Sequence, residues 1–282
     1  MTTAFVLSGG ASLGAVQVGM LRALDEAGVH PDLIIGTSVG AVNGAWLAGH
    51  PGQGTEGLAD IWRSLRRADV FPAEFMFGFL GFTGRRRGLV SNHRLRSLVE
   101  RNLTFERLED APTPLSVVVA DVLNAHDVRL TTGKAADAVL ASAAIPGVFP
   151  PVTIDGRTFM DGGVLNNTPI SHAAEAGATT IWVLSTGYAC ALERAPRGAL
   201  AMALHGLGIL VQQRLVADID RYEDEVDLRV LPPLCPNTVS PADFTQGEVL
   251  MDRAYQASVD WLESAGSFAG KGQSAQHAFH PH

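Results

Sequence analysis

Leu33-Ile34-Ile35-Gly36-Thr37-Ser38-Val39-Gly40-Ala41-Val42-Asn43-Gly44 is the stretch whose reading decides the fold. Three apolar residues in a row, closed by a glycine, have the length of a buried strand. A helix from Val39 to about Gly49 follows at once. The same order stands upstream, where the apolar run Ala4-Phe5-Val6-Leu7 ends in Ser8-Gly9-Gly10-Ala11-Ser12-Leu13-Gly14. Val16, Met20, Leu24 and Ala27 then recur at helical spacing, and Gly28 stops that helix. Strand, Gly-rich turn, helix, twice over, marks a parallel sheet with crossover helices.

Further along, Leu58, Ile61, Trp62 and Leu65 place an amphipathic helix after Thr55. From Phe71 the pattern breaks. Five of the chain's 12 phenylalanines fall between Phe71 and Phe82, with Arg85-Arg86-Arg87 directly after them. Regular structure resumes with a helix from Asn92, strands at Leu115 to Ala120 and near Asp127 to Leu130, and a helix from Ala135 to Ala144. A proline-rich loop, Ile145 to Pro151, leads to the hairpin signal Asp155-Gly156 and then to Asp161-Gly162-Gly163. A helix from Pro169, a strand from Thr180 to Leu184, a long helix from Gly198 to Tyr222 and a strand from Asp227 to Leu231 follow. Thr245 and Glu248 have the spacing of a capping box for a last helix. The fold expected is α/β, a mainly parallel central sheet flanked by helices in three layers (α/β/α), with an irregular lid-like insertion at 71–90. Residues 1–265 are expected to form a single domain and 266–282 an unpacked tail.

Composition narrows the function. With 282 residues, 46% of them hydrophobic and 18% charged, the chain has ample apolar material for a core. A net charge of −8 and a pI near 5.5 argue against a nucleic-acid partner, because no field favours phosphate. Cys190 and Cys235 have no metal or CxxC spacing, which predicts no disulfide framework and fits a reducing compartment. Met1 to Ala4 lack the basic start of a signal peptide. No segment reaches the roughly 18 uninterrupted apolar residues of a membrane span. The best candidate, Ala199 to Val211, is short, carries His205 and two glycines, and reads as a buried helix. The expectation is a cytoplasmic protein that touches a membrane surface at most peripherally.

Gly36-Thr37-Ser38-Val39-Gly40 matches G-x-S-x-G between a strand and a helix, the setting of a nucleophile elbow. The helix that begins beside Ser38 turns its free amides and partial positive charge toward a developing anion. The bland alternative is a glycine-flanked serine that merely turns a strand into a helix. Amides of the Gly9–Gly14 turn, on a neighbouring parallel strand, can face the serine as an oxyanion hole demands. A dinucleotide fingerprint is the rival reading of that turn. Ala11 occupies its second glycine position, where a Cβ crowds a pyrophosphate, and the strand that follows ends in no ribose-binding acid. The serine also needs a base. His172 lies in an Ala-rich helix and His205 in an apolar one, positions usual for packed or surface histidines. Asp161, followed by two glycines on a loop, is the alternative, although a free aspartate with a pKa of about 3.9 is a feeble base. Burial has to raise that value, or the proton has to move as the tetrahedral centre forms. Read alone, Asp-Gly-Gly is also an ordinary turn.

Together these motifs resemble the patatin-like phospholipase family: a Gly-rich turn near the N-terminus, G-x-S-x-G about two dozen residues on, and D-G-G well downstream. Ala141-Ser142-Ala143-Ala144-Ile145-Pro146-Gly147-Val148-Phe149-Pro150-Pro151 and Asn166-Asn167-Thr168-Pro169 resemble stretches that flank that family's aspartate loop. The resemblance covers approximately residues 4–186. It implies a Ser–Asp dyad that hydrolyses lipid acyl esters with no metal or other cofactor. Ser38 is then the nucleophile and Asp161 the proton acceptor. Gly9, Gly10, Ala11 and Gly14 fall on the oxyanion turn, Gly36, Thr37, Val39 and Gly40 on the elbow, and Gly162 and Gly163 on the aspartate loop. The family turn is commonly G-G-G-x-[RK]-G, whereas Ala11 and Leu13 stand here, so the amides are kept and a basic side chain is lost.

Two other functions use the same residues: acyl transfer to an alcohol or thiol, and non-catalytic lipid binding on a retained elbow. The phenylalanines and arginines of 71–90 read either as a lid that settles on an anionic lipid surface or as core rings beside a solvated rim. The terminal histidines His277, His280 and His282 are too sparse to predict a metal site.

Overall fold

A computed structural model of the chain describes residues 1–71, 90–187, 195, 199–235 and 237–266. Apart from Phe71 and Val90, the lid expected at 71–90 lies outside the described residues, as does the tail from 267. The chain opens with β1 (Thr3–Leu7), α1 (Ala15–Glu26), β2 (Leu33–Thr37) and α2 (Val39–Gly49). Then come α3 (Glu56–Ser64), the single turn α4 (Arg67–Val70), α5 (His93–Asn102), β3 (Leu115–Asp121), β4 (Asp127–Leu130) and α6 (Ala135–Ser142). The hairpin β5 (Val152–Ile154) and β6 (Arg157–Asp161) precedes α7 (Ile170–Glu175), β7 (Thr180–Leu184), α8 (Ala199–Tyr222), β8 (Asp227–Val230) and α9 (Gly247–Gly266). Asp155 and Gly156 make the β5–β6 turn with φ of 49° and 77°, both left-handed, as a two-residue hairpin requires.

The described strands form one eight-stranded sheet in the order β5-β6-β3-β2-β1-β7-β8, with β4 on the other flank of β3. From β3 to β8 neighbours run parallel, while β4 and β6 run antiparallel to β3. Both faces are covered. Along β1, Phe5 and Leu7 belong to the core under α1, α2, α3, α5, α6 and α9, and Ala4 and Val6 to the core under α7 and α8. Burial on both faces is why the strands read as continuous apolar runs instead of alternating ones. This is the three-layer architecture expected.

The register about β3 positions the site. β2 pairs with β3 up to Thr37↔Val118 and stops; β6 arrives antiparallel and ends at Asp161↔Val119. β4 pairs with Val117 through Ala120. It therefore occupies one flank of β3 for that whole length, which leaves β2 and β6 to share the opposite flank end to end. The residue after Thr37 and the last residue of β6 must meet.

Three expectations are corrected. Within the first half of α8 the helix is not buried where its side chains are described: Leu210 is 67% exposed and Met202, Leu207 and Ile209 are exposed with it. A helix of 24 residues is about 36 Å long, against about 17 Å for a five-residue strand, so only its second half, with Leu215, Ile219 and Tyr222, lies on the sheet. Thr245 caps nothing, because its hydroxyl donates to Asp243 at 2.6 Å, and the first helical acceptor is Gln246, whose carbonyl takes the Leu250 amide. Cys235 is disulfide-bonded, against the expectation of no disulfide framework, which removes the argument for a reducing compartment.

Candidate active site

At the end of β2 the chain must turn into α2 within one residue. Ser38 does so at φ 56° and ψ −123°, outside the regions usual for a residue with a side chain. Such a conformation costs on the order of 1–3 kcal/mol and persists only where its surroundings fix it. Gly40 makes the turn possible, since a side chain there would run into the carbonyls of Leu7 and Ser8 at the end of β1. The Thr37 hydroxyl donates to the Asn166 carbonyl at 3.0 Å, and the Ser38 carbonyl accepts from Ala41 and Val42 as the first acceptor of α2. Gly36 lies beneath the same helix against Gly40 and Ala41, and Val39 lines the channel described below.

Asp161 is the last residue of β6 and, like Ser38, only 6% exposed. The Ser38 hydroxyl donates to Asp161 Oδ2 at 2.6 Å, and the Gly163 amide donates to Oδ1 at 2.7 Å. Gly162 crosses directly over the Val118 carbonyl, an approach that any Cβ would block. Burial raises the Asp161 carboxyl from its ordinary 3.8 to about 6; the hydrogen bonds from Ser38 and Gly163 hold it from rising further. The sequence objection that aspartate is too weak a base is met by desolvation.

The Gly-rich turn abuts this pair. A Cβ on Gly9 would lie 3.0 Å from the Ser38 Cβ, so the bare backbone there sets how closely the turn approaches Ser38. The turn is pinned along its length. The Gly9 amide donates to the Asn167 carbonyl at 3.2 Å, and the Gly9 carbonyl accepts from the Thr186 hydroxyl at 2.6 Å. Gln17 donates to the Ser8 carbonyl at 2.8 Å, Asn43 donates to the Gly14 carbonyl at 3.0 Å, and the Ser12 amide donates to Pro241. Gly14 itself is packed against Val39 and Trp62. Among the described residues nothing accepts from the amides of Gly10 and Ala11. Ala11 has φ 51°, a left-handed conformation that an alanine holds only under constraint, and it borders the same space as Ser38.

That space is a channel running from Ser38 between α2, α3 and α5, walled by Val42, Trp46, Ile61, Trp62, Leu95, Leu98, Val99, Ile145, Phe149 and Phe244. Its polar neighbours are already satisfied. Asn43 accepts from the Trp62 indole at 3.0 Å, and Asn102 donates to the Leu98 carbonyl at 2.7 Å. The lining suits an acyl chain.

His172 bonds to Asp127 at 2.8 Å and to Glu175, not to the dyad. Reasoning from sequence singled out Ser38, Asp161 and the Gly-rich turn, and passed over the residues that hold them. Gln17 and Asn43 left one trace, an uncharged polar residue in the middle of an apolar helix. Asn166, Asn167 and Ser142 stood in the flanking stretches with no visible role, and Thr186 left no signal.

A family model described as Patatin-like phospholipase matches residues 5–174. Patatin-like phospholipase domain-containing protein 7 of Mus musculus is 32% identical over 196 residues, 65% of this chain and 13% of that protein. Lysophospholipase nte1 of Aspergillus terreus is 29% identical over 185 residues, 64% of this chain and 12% of that protein. The match thus spans about an eighth of the length of these relatives. Among solved structures, VipD from Legionella pneumophila aligns with a TM-score of 0.47 at 16% identity, covering 93% of this chain and 67% of that one. With the family model spanning more than half of its length, this chain belongs to the patatin-like phospholipase family.

Proposed function

We propose that the chain is a serine acyl-ester hydrolase acting on lipid acyl esters, of phospholipase A, lysophospholipase or carboxylesterase type. Ser38 is its nucleophile and Asp161 its base. The supporting observation is the 2.6 Å bond between Ser38 Oγ and a buried carboxylate at the mouth of an apolar channel. Ser38 Oγ attacks the ester carbonyl carbon while its proton passes to Asp161. The carbonyl oxygen becomes an oxyanion and takes hydrogen bonds from the amides of Gly10 and Ala11, while Gly9 and Gly14 shape the turn. As the tetrahedral centre collapses, Asp161 returns the proton to the leaving alkoxide and an acyl-enzyme remains. Water, deprotonated by the same carboxylate, then attacks the acyl carbon; the Ser38 Oγ–acyl bond breaks, Asp161 returns the proton to Oγ, and the fatty acid leaves. The apolar lining of the channel favours an acyl chain over a polar group. Peripheral contact with a lipid surface is part of the same reading, supported by the exposed apolar side chains Met202, Leu207, Ile209 and Leu210 on α8.

A series of p-nitrophenyl acyl esters tests the dyad. Asp161→Asn is expected to lower turnover by about 10²–10⁴-fold, and Ser38→Ala by at least as much. Turnover unchanged in both variants would rule the dyad out. Product analysis with lysolipid, glycerol or thiol acceptors separates hydrolysis from acyl transfer, and sedimentation with phosphatidylcholine vesicles tests the surface contact.

A further inference from the structure

The dyad joins residues 123 positions apart, and a third segment holds them both. At the end of α6, the Ser142 hydroxyl accepts from the Ser38 amide at 2.8 Å and donates to the Val118 carbonyl at 2.6 Å. Two residues on, the Ala144 carbonyl accepts from the Asp161 amide at 3.0 Å. One stretch of three residues therefore grips the backbone of the nucleophile and the backbone of the base. It does so beside Val118 and Val119, where β2 gives way to β6 along β3.

The chemistry allows the Ser142 hydroxyl one orientation. It has a single proton and two lone pairs, the Val118 carbonyl can only accept, and the Ser38 amide can only donate. Ser142 is fully buried, so no water replaces either bond, and the peptide it holds leads into the most strained residue of the site. From this geometry we infer that Ser142 is a positioning residue for the reaction, fixing the Ser38 peptide plane so that Oγ stays aimed at Asp161. The inference rests on the hydrolase reading above. Ser142 does not line the channel, and its hydroxyl bonds to the Ser38 amide and the Val118 carbonyl, not to the carboxylate. Its effect belongs in the rate of attack and not in substrate binding.

The test compares Ser142→Ala and Ser142→Cys with Val139→Ala, a core truncation on the same helix and outside the channel. Measured are kcat and KM for p-nitrophenyl butyrate, the rate of Ser38 labelling by a fluorophosphonate, and Tm. Ser142→Ala is expected to lower kcat and the labelling rate together by about 10- to 100-fold with KM within about twofold. Ser142→Cys, which keeps a weak donor and acceptor, falls between alanine and wild type. Val139→Ala lowers Tm and leaves kcat unchanged. If Ser142→Ala does not fold, the cysteine variant decides alone, and a wild-type labelling rate in it overturns the inference. So does equal loss of kcat in Ser142→Ala and Val139→Ala at matched Tm. Failure of the wild-type protein to label at Ser38 overturns the hydrolase reading and this inference with it.

Discussion

Asp161 touches Ser38 and the Gly163 amide but pairs with no cationic side chain among the described residues, so burial alone sets the direction of its titration. A base must be ionised to act. With the carboxyl raised to about 6, kcat/KM for a neutral ester is expected to rise tenfold per pH unit below that value and to level off above it. A pH–rate profile with its acid limb centred near pH 4 would place the carboxylate in water instead.

The same burial makes the Asp161 carboxylate costly to the fold. The folded-state pKa lies above the unfolded one, so the native state binds the extra proton, and stability falls as pH rises between about 4 and 6. Asp161→Asn keeps the acceptor for Gly163 and removes the charge. It should turn over far more slowly yet be more stable at pH 7 by about 1–3 kcal/mol, a difference that should vanish near pH 4. Urea unfolding at both pH values checks this.

These predictions rest on residues that the sequence exposed unevenly. Ser38 and Asp161 were legible because glycines must surround a backbone that turns so sharply, and glycine punctuation is visible in one dimension. The parallel sheet was legible for the same reason, since two strand–turn–helix units in succession leave few other packings. Ser142, Asn167 and Thr186 were not legible, because each reaches the site through a bond to a partner more than 100 positions away. Exposure along α8 depends on where the sheet beneath it ends, which no periodicity records. Thr245 shows local competition: an aspartate two residues before it takes the hydroxyl that the capping pattern had reserved for the helix.

A Cβ on Gly10 would fall 2.7 Å from the Thr186 Cβ, so Gly10→Ala must displace the turn from Thr186, whose hydroxyl holds the Gly9 carbonyl. Its kcat is expected to drop about 10²–10³-fold, the usual cost of losing an oxyanion donor, with KM little changed. Steady-state kinetics on p-nitrophenyl butyrate reads this directly.

Gln17 is fully buried and donates to the Ser8 and Leu184 carbonyls while accepting from Asn43. Gln17→Leu removes three hydrogen bonds at once and leaves the Ser8 carbonyl without its partner. The expected loss in stability is about 2–4 kcal/mol, more than one ordinary hydrogen bond, and chemical denaturation measures it.

Leu98 lines the channel wall on α5. Leu98→Trp should leave the hydrolysis of butyryl esters within about twofold while lowering kcat/KM for dodecanoyl esters about tenfold, the loss of roughly two buried methylenes at about 0.8 kcal/mol each. An ester chain-length series on both proteins gives the ratio.

The acyl-enzyme is the most direct test of all. Wild-type protein acid-quenched during turnover of p-nitrophenyl butyrate, digested and mapped by mass spectrometry, should carry a butyryl group on Ser38. Steady ester turnover with the acyl group on another residue, or with none on Ser38 and undiminished rate in Ser38→Ala, would contradict it.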